Sequence, residues 1–366
     1  MSAQLAIRKL PGRSVRWVAV VLLAAGAALA QAPAQAAGQL EKPQISAAED
    51  GAAQRDQDPG HQVPPRVLIV VAHPDDESCF AATVYEITHN LGGTVDQFVI
   101  TNGEGGYRYS LLAESYYGVK LTEEAVGRAA LPEIRKRELL EAGSYLGIND
   151  HFFLNQRDVR NTKDIDEVLE QHWVPGVALA AVGRRLATGH YDFVLTLFPS
   201  PETHGAHKAA AVTALEAVRQ MAAGERPVVL GCETVRAGAT GPSWKGFEST
   251  RHVFQVLPDV FVTDRNVKFG FNNVLSYQII VSWEVAAHKS QGAFQASAPT
   301  ARADLEEFVI LERGAKPVAA QERASQSTRA RRLFQALAGQ ASHPGGLVEA
   351  KPATDRGPTP KATTLP

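Results

Sequence analysis

The chain has little cysteine: two residues, Cys79 and Cys232, in 366. That count excludes a disulfide-scaffold fold and a zinc site built on thiolates, so any metal must be held by histidine and carboxylate. An excess of charge of one sign is also missing. Lys and Arg number 37 against 39 Asp and Glu, a formal net charge of −2, and nothing there argues for a nucleic-acid partner. No apolar run reaches the roughly twenty residues that a membrane-spanning helix needs, so no stable membrane insertion is expected. A G-x-S-x-G nucleophile elbow is absent, which speaks against a serine hydrolase. Gly103-Glu104-Gly105-Gly106 lacks the G-x-G-x-x-G spacing of a dinucleotide-binding loop. The composition that remains, 45% hydrophobic and 21% charged, is that of an ordinary soluble globular protein.

The two ends differ from the middle. Arg8, Lys9, Arg13 and Arg16 precede an uninterrupted apolar run from Trp17 to Ala30. Ala28-Leu29-Ala30 and Ala34-Gln35-Ala36 are small-x-small cleavage sites. Residues 1–36 therefore read as a secretory signal peptide, and the mature protein is expected to be exported, periplasmic or secreted. Residues 37–64, polar with Pro43, Pro59 and Pro64, read as a linker. Residues 316–366, rich in Ala, Gln, Ser, Thr, Pro and Gly, read as a largely disordered tail with one or two helical turns over 329–337. One domain over 65–315 remains.

Within that domain strand and helix patterns alternate. Arg66-Val67-Leu68-Ile69-Val70-Val71-Ala72 is a continuous apolar run, as expected of a parallel strand buried on both faces. The patterns predict a helix over 76–91 and a strand over 97–101. They predict a helix over 133–146 closed by Gly147, and a strand over 151–154. A helix over 164–188 broken near Pro175, a strand over 193–197, a helix over 207–222 and a strand over 227–230 follow. Repeated βα units predict a Rossmann-like, doubly wound α/β domain with a mostly parallel sheet and helices on both faces. Ligands of such sheets bind outside the carboxyl ends of the strands.

The residues just past those ends carry chemistry. His73-Pro74-Asp75-Asp76-Glu77 follows the first strand, and Glu202-Thr203-His204-Gly205-Ala206-His207 follows the fourth. Acids at a helix start complement its dipole, but three in succession after a histidine exceed that need. Two histidines three residues apart are, alone, ordinary surface residues. Brought together by the sheet, the two segments offer imidazoles and carboxylates of the kind that hold a catalytic Zn²⁺ with one position open.

Ala72-His73-Pro74-Asp75-Asp76-Glu77 resembles the signature of the PIG-L/LmbE family of zinc-dependent N-acetylglucosaminyl deacetylases. The resemblance extends over about 66–292. Thr101-Asn102-Gly103-Glu104-Gly105-Gly106 is similar to the family's loop after the second strand. Arg135-Lys136-Arg137-Glu138 is similar to its Arg-x-x-Glu helix, and Phe153-Leu154 with Asp158 to its turn after the third strand. Ala287-His288-Lys289-Ser290-Gln291 is similar to a late His-x-Ser-Gln element. The resemblance implies His73, Asp76 and His207 as metal ligands, for Zn²⁺ or alternatively Fe²⁺. It implies Asp75 as the general base that activates the attacking water, and His204 as the group that stabilises the oxyanion or protonates the leaving amine. It implies a small-molecule or glycan substrate whose N-acetyl group is hydrolysed with release of acetate. It leaves the oligomeric state open.

Arg135, Asp158 and Glu104 are the candidate substrate contacts. Arg135 either reaches substrate or belongs to an ion-pair face with Glu133 and Glu138. Asp158 either binds sugar hydroxyls or serves a turn. Tyr107, Tyr109, Tyr116 and Tyr117 either stack on a sugar or pack their own loop. His288 and Gln291 read as structural. Cys79 and Cys232 either pair in an oxidising compartment or stay as buried thiols. The family's second segment commonly reads His-x-Asp-His, whereas this chain has Ala206 in place of the Asp. His204 thus lacks its expected carboxylate, with Glu202 as the candidate substitute. That departure supports the alternative of a catalytically weak or silent carbohydrate- or metal-binding protein on the same fold; intact Asp75 opposes it.

Overall fold

The structure is a computed structural model and describes residues 63–239, 241–247, 249, 251–292, 303–314, 318–341 and 362–364. The expected signal peptide and almost all of the expected linker lie outside the described residues. Strands β1 (Arg66–Val71), β2 (Thr94–Thr101), β3 (Asp150–Gln156), β4 (Phe193–Leu197) and β5 (Val228–Val235) are parallel neighbours in the order 3-2-1-4-5. This is the doubly wound order the alternating patterns imply. β1 is central because both its faces are apolar. Val67, Ile69 and Val71 enter one core and Leu68, Val70 and Ala72 the other, all fully buried.

The connections follow the sequence pattern with shifted bounds. After β1, Asp76–Phe80 forms a 3₁₀ turn that runs into α1 (Ala81–Tyr85). Beyond β2, a 3₁₀ stretch (Glu104–Tyr109) and a short α2 (Glu114–Tyr117) lead to α3 (Glu124–Leu146). α3 begins nine residues before the predicted start and carries Pro132 within it. Gly147 closes it at a left-handed φ of 72°, as its position foretold. The long helix predicted over 164–188 is broken as Pro175 requires. α4 (Ile165–Glu167) and a π turn to His172 precede α5 (Val177–Gly189). α6 (Gly205–Arg219) follows β4.

Beyond β5 the fold departs from the pattern. β6 (Phe254–Asp264) and β9 (Leu305–Arg313) extend the sheet antiparallel, β9 lying between β5 and β6. A ribbon of β7 (Lys268–Phe269) and β8 (Leu275–Ser276) leads to α7 (Gln278–Ala287). β10 (Ala362–Thr364) pairs parallel with β3 at the far edge. The expectation of a largely disordered tail from residue 316 fails over α8 (Ala320–Ala341). The composition is polar there because three sides of the helix are wet. Ala330, Leu333, Phe334 and Leu337, at i, i+3/i+4 and i+7, form the one stripe that enters the core.

His151 on β3 is fully buried against α3, and neither ring nitrogen finds a hydrogen-bond partner among the described residues. Its ring occupies the space a Cβ at Gly143 would need. Burial lowers its pKa from 6.5 to about 4, with Asp96 opposing. The fold therefore keeps the neutral form, while the unfolded chain takes up a proton below about pH 6.5. Stability contributed here is present above that pH and is lost as pH falls toward 4, by on the order of 3 kcal/mol. His151→Gln is expected to flatten the fall, read as the difference in urea midpoint between pH 7 and pH 4.5 for variant and wild type.

Candidate metal centre and active site

The strand order reverses between β1 and β4, and the two motif segments leave the sheet side by side there. His73 follows the end of β1. His204 caps the start of α6, and His207 lies in its first turn. The side chains converge. His73 Nδ1 and His207 Nε2 are 3.0 Å apart, His207 Nε2 and Asp76 Oδ1 3.3 Å, and His73 Nδ1 and Asp76 Oδ1 3.5 Å. Ligands about 2.0–2.1 Å from a tetrahedral ion lie about 3.3 Å from one another, so the three atoms fit one zinc-sized cation.

Each ligand is oriented from behind. Asp76 Oδ2 accepts the backbone N–H of Ala72 (3.0 Å) and of His73 (2.9 Å), which turns Oδ1 toward the imidazoles. His73 Nε2 faces Asp158 Oδ1 at 3.8 Å, and His207 Nδ1 lies 3.1 Å from the Thr203 hydroxyl. Such outer partners fix the ring orientation of metal-ligating histidines. The electrostatics ask for positive charge. Burial would depress the His73 imidazole, yet Asp76 and Asp158 push it up to about 10. Burial opposes ionisation of Asp76, yet His207 and His73 hold its carboxyl well below the usual range. Burial likewise opposes Asp158, and His73, Arg135 and His204 hold it low.

Asp75 pairs with Arg135, Nη2 to Oδ1 2.8 Å, both buried. Arg135 also donates to the carbonyls of Gly103 (2.6 Å) and Pro74 (3.2 Å). It is thus neither a surface ion-pair residue nor mainly a substrate contact, although it lines the cavity. The glycine-rich loop has glycines because it wraps this guanidinium. Gly103 sits at φ 65°, and a Cβ there would collide with Arg135 Nη1. Arg135→Met removes the buried guanidinium paired with Asp75 and is expected to cost about 3–5 kcal/mol in denaturant unfolding. Arg135→Lys restores little, since one ammonium does not span three acceptors.

Glu104, a candidate substrate contact, is buried beside the cavity loop. Its carboxylate turns inward to accept the backbone N–H of Asp158 (3.1 Å), and it braces that loop instead of facing the cavity. Asp158 does reach the cavity, but its Oδ2 is engaged by the Gly105 N–H (3.1 Å). His204 stacks on His73 with ring centroids 5.2 Å apart. Burial, then the charges of His73 and His207, bring it down to about 4, with Asp158 opposing. Asp158 is therefore the carboxylate that acts on His204. Ala206 points into the apolar core and Glu202 is exposed, so neither position supplies it.

The cavity these residues line measures about 240 Å³. Tyr107 and Tyr109 form part of its wall; Tyr117 instead turns to Glu138 (2.7 Å) and packs its own loop. Arg108, Arg128 and Arg160 are the further cations around it, and the sequence patterns did not single them out. Cys79 lines the cavity and Cys232 lies behind it. Both are free thiols, each sulfur nearest the other's carbonyl oxygen at 3.7 and 3.4 Å.

Fold and site together define a doubly wound α/β protein with a convergent His-Asp-His cluster and an adjacent buried carboxylate at the switch point of its sheet. Residues 68–218 match the sequence profile described as PIG-L, GlcNAc-PI de-N-acetylase. The resemblance read from the motifs thus holds, and over that segment the chain matches the PIG-L family model. It is 26% identical over 164 residues to a probable N-acetyl-alpha-D-glucosaminyl L-malate deacetylase 2 of Bacillus cereus. That alignment covers 44% of this chain and 65% of the relative, less than two thirds of its length. Among solved structures, N,N'-diacetylchitobiose deacetylase from Pyrococcus horikoshii is 16% identical at a TM-score of 0.43, covering 67% of this chain and 83% of that one. The zinc-inhibited form of teicoplanin deacetylase Orf2 is 14% identical at 0.46, covering 69% and 100%.

Proposed function

We propose that this protein hydrolyses the N-acetyl group of an N-acetylglucosamine-type sugar or glycoconjugate, with Zn²⁺ held by His73, Asp76 and His207. The observation that carries the reading is the convergence of those three ligand atoms beside a buried carboxylate, Asp75, in one cavity. A bound zinc ion supplies Lewis acidity to the amide carbonyl and to water. The chain's own groups do the rest. Asp75, held in place by Arg135, takes the proton of the attacking water as its oxygen bonds to the carbonyl carbon. His204 hydrogen-bonds the developing oxyanion or hands a proton to the amine as the C–N bond breaks. The products are acetate and the free amino sugar. Tyr107 and Tyr109 offer ring faces to the sugar.

The test is acetate release from a panel of N-acetylglucosamine conjugates by purified protein of measured metal content, before and after chelation. Acetate release that survives complete metal removal, or none from any conjugate by fully loaded protein, overturns the reading. We propose also that the chain is exported, on the N-terminal pattern alone. Among the described residues no helix is long and apolar enough to cross a membrane. Mass spectrometry of exported protein is expected to find a start at Gln31 or Ala37; an intact Met1 in the membrane fraction overturns export.

A further inference from the structure

The three consecutive acids after His73 part company. Asp75 turns to Arg135, Asp76 to the ligand set, and Glu77 inward, where it is fully buried. Glu77 Oε2 accepts from Gln97 Nε2 of β2 at 3.0 Å, and Oε1 meets His288 Nε2 at 2.8 Å. His288 stands at the end of α7, 211 residues away in sequence, and Glu284 one turn earlier places its own carboxylate 3.2 Å from the same nitrogen. All three groups are fully buried. The turn after His288 holds the other side of the site. Ser290 donates from its N–H (2.7 Å) and its hydroxyl (2.5 Å) to Glu138, three residues along α3 from Arg135. Gln291 Nε2 reaches the Gly106 carbonyl (3.4 Å) and lines the cavity.

We infer that His288 is a positioning residue for the metal centre: by gripping Glu77 it fixes the 3₁₀ turn that aims Asp76 at the metal and Asp75 at the reacting water. The turn is one residue per task, so a shift of Glu77 moves both neighbours. No side chain caps the start of this turn, and Asp76 Oδ2 and Ser78 Oγ tie its first residues to the end of β1 and to the turn itself. Its far side is anchored by distant elements: the buried Arg265 donates to the carbonyls of Ser78 (2.7 Å) and Cys79 (3.3 Å), while His288 at the end of α7 holds the Glu77 side chain. The inference rests on the metal reading above.

The experiment titrates Zn²⁺ into the purified full chain against a competing chelator and pairs this with kcat and KM for acetate release. His288→Ala is expected to weaken zinc affinity about 10–100-fold, the usual cost of losing an outer-shell partner. It should lower kcat with KM little changed, and His288→Gln, which keeps a donor for Glu77, should recover part of both. A folded His288→Ala protein with wild-type zinc affinity and kcat overturns the inference and leaves the metal reading intact. A second equivalent of zinc in the wild type that vanishes in Glu284→Gln also overturns it, since the cluster would then be a metal site itself. A wild type that binds no metal overturns both. Should His288→Ala not fold, Gln97→Leu removes the other donor to Glu77. Weakened zinc binding there supports the inference, and unchanged binding overturns it.

Discussion

Asp75→Asn is expected to keep its metal and lose about 10²–10⁴-fold in kcat for acetate release, the range a positioned general base supplies. The substitution is close to isosteric and retains an oxygen for the Arg135 guanidinium, so the loop it anchors stays in place. What changes is the capacity to accept a proton. The three converging atoms are set by the backbone amides of Ala72 and His73 and by α6, while Asp75 is held by Arg135. Metal content measured on the same sample separates the two effects. An Asp75→Asn protein that is slow and metal-free would mean that Asp75 organises the ligand set. One that is as fast as wild type would place the base elsewhere, with Glu202 poorly situated because it is exposed.

Asp76→Ala is expected to have the larger effect on the metal itself. It removes the only anionic member of the ligand set, and it leaves two imidazole nitrogens 3.0 Å apart with no carboxylate between them. It also frees the two backbone amides that Asp76 Oδ2 satisfies, so the turn after β1 loses its internal brace. Zinc affinity should fall by more than the roughly 100-fold upper cost of losing an outer partner, and acetate release should fall with it. Zinc retained at full occupancy in Asp76→Ala would sink the ligand assignment. His207→Ala should resemble it in metal loss but leave the turn after β1 intact, visible as a smaller change in unfolding midpoint.

Much of this was readable from residues alone, and for definite reasons. The five parallel strands followed from an apolar run at 66–72 and from alternating βα signals, because a strand buried on both faces has no polar side. The converging residues were legible because their spacing is local: His73 and Asp76 share one turn, and His207 lies one helical turn from His204. Gly147 and Pro175 marked breaks because left-handed φ and a missing N–H act on the backbone itself.

Other features depended on which distant segments meet. That Arg135 grips Asp75 needs α3 to pass beneath the loop after β2. That Asp158, and not a residue near Ala206, faces His204 needs the turn after β3 to reach the switch point, while the Ala206 side chain is spent on packing α6 into the core. The roles of Glu104 and Glu77 turned on the direction of one carboxylate, inward in both cases, which hydropathy does not encode. β6 and α8 escaped the pattern because an antiparallel edge strand and a one-stripe helix keep much of their surface wet; β9, mostly buried between β5 and β6, and the apolar α7 lie beyond the last repeated βα unit. The parallel sheet and the motifs at its carboxyl ends were legible in the residues alone, since each depends on patterns within a few residues. The tertiary structure alone decided which buried partner orients each acid, because those contacts join residues as far apart as Glu77 and His288 and exist only once both cores have closed around β1.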